Sequence, residues 1–177
     1  EMRPSNFALL KALRGELAVG AAVSLHHAAA SDRPAPPMRV CETKKSADIG
    51  DEMMSLGSAS DPTAGGQHPA EPTTCTMVNV TTLDHFVETN VRTDLTLIKI
   101  DAEGFDGKIL MGGMRTLVQR KPAVVIFECC MHWHRSGMPQ DPFRGGSGAS
   151  IPSLAKAAPK WGYDLYLVGG RNLLWLN

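Results

Sequence analysis

Three stretches of this sequence place an acid just beyond an apolar run. Asp101 and Glu103 follow LTLIKI (95–100). Glu128 lies near the end of AVVIFECC (123–130), with His132 and His134 close behind. Ser31 and Asp32 follow AVSLHHAAA (22–30), and Glu1 joins this set if a strand precedes it. A carboxylate in such a position can take a proton from a substrate hydroxyl or orient that hydroxyl. It can equally accept hydrogen bonds from the hydroxyl and amino groups of a bound ligand. Glu128, His132 and His134 form a second potential acid/base set. Competing structural roles exist: Glu103 with Gly104 suits the N-terminus of the helix that follows, and Asp32 suits a turn. Cys129, Cys130, His132 and His134 invite comparison with a metal site. Adjacent cysteines do not give zinc-ligand spacing, however, and neighbouring strand residues face opposite ways, so no metal is expected. His26 and His27 read as packed or surface strand residues. Trp133, Trp161 and Trp175 read as core or rim packing.

The elements that must position these residues follow from periodicity. Pro4 to about Ala18 predicts an amphipathic helix, with Pro4 in its first turn and Phe7, Leu10, Leu13 and Leu17 at helical spacing. Residues 22–30 predict a short strand. Residues 31–75 carry six prolines (Pro34, Pro36, Pro37, Pro62, Pro69, Pro72) and no sustained periodicity. They read as a long loop or insertion whose apolar residues are too few for a second core. Order returns with a strand at 76–80 and a helix at 83–90 capped by Thr81 or Thr82. The runs 95–100 and 123–130 have the pattern of strands buried on both faces. Between them, 105–119 predicts a helix with Phe105, Ile109, Leu110, Met114, Leu117 and Val118 on one face. Gly112 and Gly113 inside it each cost about 1 kcal/mol relative to alanine, which close approach of helix to sheet would explain. A helix at 150–161 and a hairpin of strands 163–168 and 173–176 complete the chain. Alternating strands and helices predict one α/β domain over 1–177 with a mostly parallel sheet and a C-terminal antiparallel hairpin. Ligands of such sheets bind beyond the carboxyl ends of the strands, where the acids above fall.

Composition narrows the function. Lys+Arg and Asp+Glu are 18 each in 177 residues, so the net charge is zero. That removes the electrostatic argument for nucleic acid or an anionic membrane. No apolar run reaches the roughly 18 residues of a membrane span. Cys41, Cys75, Cys129 and Cys130 include no C-x-x-C pair, and are read as four reduced thiols. That reading leans towards the cytoplasm without fixing the compartment. The first residue is Glu1, not Met, so the true N-terminus is expected to lie upstream.

The stretch LIKIDAEGFDGKILMGGMRTLVQRKPAVVIFECC (97–130) resembles the FkbM family of S-adenosylmethionine-dependent methyltransferases. Lys99, Ile100, Asp101, Glu103, Gly104, Asp106, Ile109, Leu110, Gly113, Lys121, Pro122 and Glu128 match its pattern, with Asp106 in place of a more frequent glutamate. VNVTTLDHF (78–86), and EMRPSNFALLKAL with HHAAASD (1–13 and 26–32), are similar to two further family segments in the same order. The resemblance implies a class I methyltransferase (Rossmann-like) fold whose first strand and Gly-rich cofactor turn are missing from this stretch. Gly146-Ser147-Gly148 does not follow a strand and is not read as that turn. Weak or no cofactor binding by residues 1–177 alone is therefore expected.

The resemblance further implies methyl transfer from S-adenosylmethionine to a hydroxyl on a sugar or small metabolite. It assigns Glu1 to the cofactor ribose, Ser31 and Asp32 to its adenine, and Asp101 to both the cofactor and catalysis. Glu103, Glu128 and His132 complete the catalytic set. A non-catalytic interaction module on the same scaffold is the alternative. A nicotinamide dehydrogenase is a weaker third reading, which needs G-x-G-x-x-G after a first strand.

Overall fold

A computed structural model describes residues 1–17, 19, 22–43, 72–102, 105–128 and 151–176. The chain divides into two compact units, Glu1–Thr81 and Thr82–Asn177, each with its own core.

The first unit contains helix α1 (Pro4–Glu16) and strands β1 (Ala28–Ser31), β2 (Ala35–Thr43) and β3 (Pro72–Thr82), whose last residue opens the second unit. The sheet order is β1-β3-β2, and β2 runs antiparallel to β3 in a register from Ala35↔Val80 to Thr43↔Pro72. Parts of the predicted 31–75 loop are therefore strand. The prolines mask these strands in the sequence for a physical reason. Pro36 and Pro37 fall where the register slips, between Ala35 and Met38, on an edge strand. An edge strand at a bulge tolerates residues that donate no N–H. Val40 and Val78 are each 1% exposed and form the core with Ala29. The register pairs residue 41 with residue 75 along the ladder, and Cys75 is disulfide-bonded. The expectation of four reduced thiols is thus wrong, and the compartment argument resting on it falls.

Helix α1 departs from its predicted role. It buries no residue, and Leu10 and Leu13 of its apolar stripe remain exposed. Its clearest contact is the Phe7 ring stacked on His27, with centroids 4.7 Å apart. His27 is thus packed, as expected; its Nε2 also lies 3.0 Å from the Met2 carbonyl.

The second unit contains helix α2 (Leu83–Asn90), strands β4 (Leu97–Lys99) and β5 (Val124–Ile126), helices α3 (Asp106–Met111) and α4 (Ile151–Ala157), and strands β6 (Tyr166–Val168) and β7 (Leu173–Trp175). A π-helical turn occupies Thr116–Arg120, so the predicted 105–119 helix is broken after Met111. β4 and β5 are parallel; β6 and β7 form the expected antiparallel hairpin around residues 169–172. The sheets are mixed: β4/β5 pair in parallel, and β2/β3 and β6/β7 pair antiparallel, where a mostly parallel sheet was predicted.

The core joins Ile98 and Ile100 to Leu110, Leu117 and Leu154, so α3, the π-helical turn and α4 cover one face of the parallel pair. Leu97, Val124 and Ile126 point away from it and are exposed. These strands alternate between a covered and an open face, where burial on both was expected. Val118 and Trp175 are exposed as well, against their predicted packing, whereas Trp161 packs on the core.

The side chain of Thr82 caps α2 by accepting from the His85 N–H at 3.1 Å, which decides between Thr81 and Thr82. A Cβ on Gly113 would come within 2.5 Å of Leu83 Cδ2, so this glycine serves helix–helix contact with α2, not helix–sheet contact. Tyr163 places its hydroxyl 3.1 Å from the Leu117 carbonyl and 3.0 Å from that of Pro122. Burial raises its pKa above the ordinary 10.0.

Candidate functional site

The parallel pair β4/β5 fixes the geometry of the acids. Lys99 pairs with Ile126, and the ladder continues one step as the Ile100 N–H donates to the Ile126 carbonyl at 2.8 Å. Asp101 and Glu128 each lie two residues past the last paired residue of their strands, Lys99 and Ile126. Both are exposed at the carboxyl edge of the pair, where α/β sheets bind ligands. Lys99 and Asp101 form an ion pair at 2.5 Å with both side chains more than half exposed. Such a solvated pair contributes at most about 1 kcal/mol. The local cause is a strand that has just ended: residues 99 and 101 lie on one face, because alternate strand residues do.

Glu128 is held from below. Its backbone N–H donates to Asp106 Oδ1 at 3.0 Å. Asp106 opens α3 and is fully buried, and its Oδ2 has no hydrogen-bond partner among the described residues. A buried carboxylate is costly to desolvate, so its presence marks a position where the chain needs this acceptor. Asp106 therefore ties the first turn of α3 to the end of β5. In the sequence Asp106 is one match to the family pattern among many, and its signal is an acid at the start of a helix. Glu103, His132 and His134 lie outside the described residues.

In the first unit, the N-terminal amine of Glu1 donates to the His26 carbonyl at 3.4 Å, and the Ala28 N–H donates to the Glu1 carbonyl at 3.2 Å. That pattern brackets His27 as in a parallel ladder. The Glu1 carboxylate accepts from the Arg3 N–H at 2.7 Å through Oε1. Ser31 ends β1 and donates from Oγ to Asp32 Oδ1 at 2.9 Å, with Asp32 exposed. Asp101, Asp106 and Glu128 are thus assembled at one strand edge, and Glu1, Ser31 and Asp32 belong to the other unit. Among the described residues, no three potential metal-ligating side chains cluster.

A family model for the methyltransferase FkbM domain matches residues 3–156. No curated protein and no solved structure matches the chain. The matched span includes the strand ends bearing Asp101 and Glu128, and Asp106 between them in sequence. It covers well over half of the chain, which therefore belongs to the FkbM methyltransferase family.

Proposed function

We propose that this methyltransferase domain uses S-adenosylmethionine to methylate a hydroxyl oxygen of a sugar or small metabolite, on a class I, Rossmann-like scaffold. The observation that carries the reading is the register-matched pair Asp101 and Glu128 at the carboxyl edge of two parallel strands. The chemistry of the donor set fits the cofactor. Exposed carboxylates accept hydrogen bonds from ribose hydroxyls and an adenine amino group, and they favour a neighbouring cation. Within the second unit, Asp101 would face the region of the sulfonium; the roles of Glu1 towards the ribose and of Ser31 and Asp32 towards the adenine rest on the family resemblance alone. When bound, the cofactor supplies an activated methyl group on a cationic sulfur.

The remaining work falls to the chain. Asp101 receives the proton of the acceptor hydroxyl, while Lys99 tethers its carboxylate at the rim. Glu128, with its backbone fixed by Asp106, orients the acceptor, and Glu103 and His132 complete the acid/base set. Most of the acceleration comes from alignment and exclusion of water, since displacement at a methyl carbon needs no covalent help from the protein. Zero net charge suits a small acceptor better than a polyanion.

The test profiles the full-length protein against a panel of hydroxylated metabolites with a radiolabelled methyl donor. D101N should lower turnover by about a hundredfold, a larger effect than its weakening of S-adenosylmethionine binding. An unchanged turnover number removes Asp101 from the reaction. Cofactor binding without methylation of any acceptor favours the non-catalytic module instead.

A further inference from the structure

We infer that the second unit carries an anion site for the phosphate group of a small molecule, in the cleft between α2 and the π-helical turn. The cleft holds about 340 Å³, within the size range of small-ligand pockets. Its charged and amide-bearing lining comprises Asp84, Glu88, Arg92, Arg115, Gln119 and Arg120. Three guanidinium groups thus meet two carboxylates, and both carboxylates are already engaged. Asp84 accepts the backbone N–H groups of Arg115 at 3.1 Å and Thr116 at 2.6 Å, one on each oxygen. Glu88 pairs with Arg115 at 2.7 Å.

Among the described residues, neither of the other two cations is in an ion pair. Arg120 donates to the Thr93 carbonyl at 2.6 Å, a neutral acceptor that leaves its charge uncompensated. Arg92 has no hydrogen bond or ion pair among the described residues. A scatter of surface arginines would ordinarily lie beside free carboxylates; here the local acids are used to hold the helices together. Arg92 and Arg120 line the same concavity; planar guanidinium forks match the oxygens of a phosphate, with Gln119 as a further amide donor. The site is separate from the strand-end acids. Arg92 precedes β4 and Arg120 precedes β5, whereas Asp101 and Glu128 follow those strands, so the cleft belongs to the amino-end side of the parallel pair. The inference does not depend on the methyl-transfer reading.

Phosphorus NMR titration of the full-length protein tests it, with inorganic phosphate in one arm and glucose 6-phosphate in the other. Saturable binding is expected, weakening as ionic strength rises. R92Q breaks no contact in the fold and should weaken binding about threefold, and R92Q/R120Q about tenfold or more. R171Q, in the exposed 169–172 loop, should leave it unchanged. Tighter binding of glucose 6-phosphate identifies a phosphate ester as the ligand, and equal binding identifies free phosphate. Absence of saturation with either probe, or equal affinity in R92Q/R120Q and wild type, overturns the site.

Discussion

At Asp106 a single carboxylate couples a helix start to a strand end. Its Oδ1 holds the backbone of Glu128, so the acid that shapes this strand edge is the buried one, whereas Asp101 and Glu128 are exposed there. Sequence alone cannot separate these roles, because a motif match marks all three alike. Tyr163 shows the same dependence on surroundings. Its hydroxyl can donate to one of two carbonyls and has burial on its other side, so ionisation is disfavoured in the fold. The unfolded tyrosine ionises first, near pH 10, and the folded one only at higher pH. This contribution to stability is therefore complete below about pH 10 and is lost as pH rises through the folded pKa. The stability gap between wild type and Y163F, measured by urea unfolding, should narrow above pH 10; a constant gap would show that the shift is absent.

At the scale of elements, the decisive contact is between α2 and the segment after α3. Asp84 binds the backbone at Arg115 and Thr116, its own N–H donates to the Gly112 carbonyl at 2.9 Å, and Gly113 lies against Leu83. The glycine permits this approach through its missing side chain. G113A should destabilise the fold by about 1–3 kcal/mol, the cost of overpacking. Adding L83A should cost less in the G113A background than in wild type, giving a coupling visible in a double-mutant cycle. Additive losses would mean that the two residues do not meet. The glycines were legible as a requirement for close approach, but their partner was not, since spacing along one helix does not say which neighbour arrives.

At the scale of the molecule, two cores divide the chain, one around Val40 and Val78 and one around Ile98, Ile100 and Leu110. Cys75, which is disulfide-bonded, belongs to the first. Reduction with dithiothreitol should speed amide hydrogen exchange in β2 and β3 while leaving β4 and β5 protected as before. The loss in the first unit should be about 2–4 kcal/mol, the usual contribution of such a link. Equal loosening of both units, or no change in either, would count against a local role for this bond.

Residue order and type determined the family, the parallel strands near 97–99 and 124–126, the helix at 83–90, the terminal hairpin, and the positions of Asp101 and Glu128 at strand ends. Those features are local or rest on patterns confined to one segment, where apolar spacing and chain punctuation carry the information. Tertiary structure alone decided that proline-rich residues pair as β2 with β3, that Cys75 is oxidised, that the strands keep one open face, and that Asp106 supports Glu128. Each of these depends on which distant segment supplies the opposing atoms, and pairing energy between remote segments leaves no periodic trace in the sequence of either one.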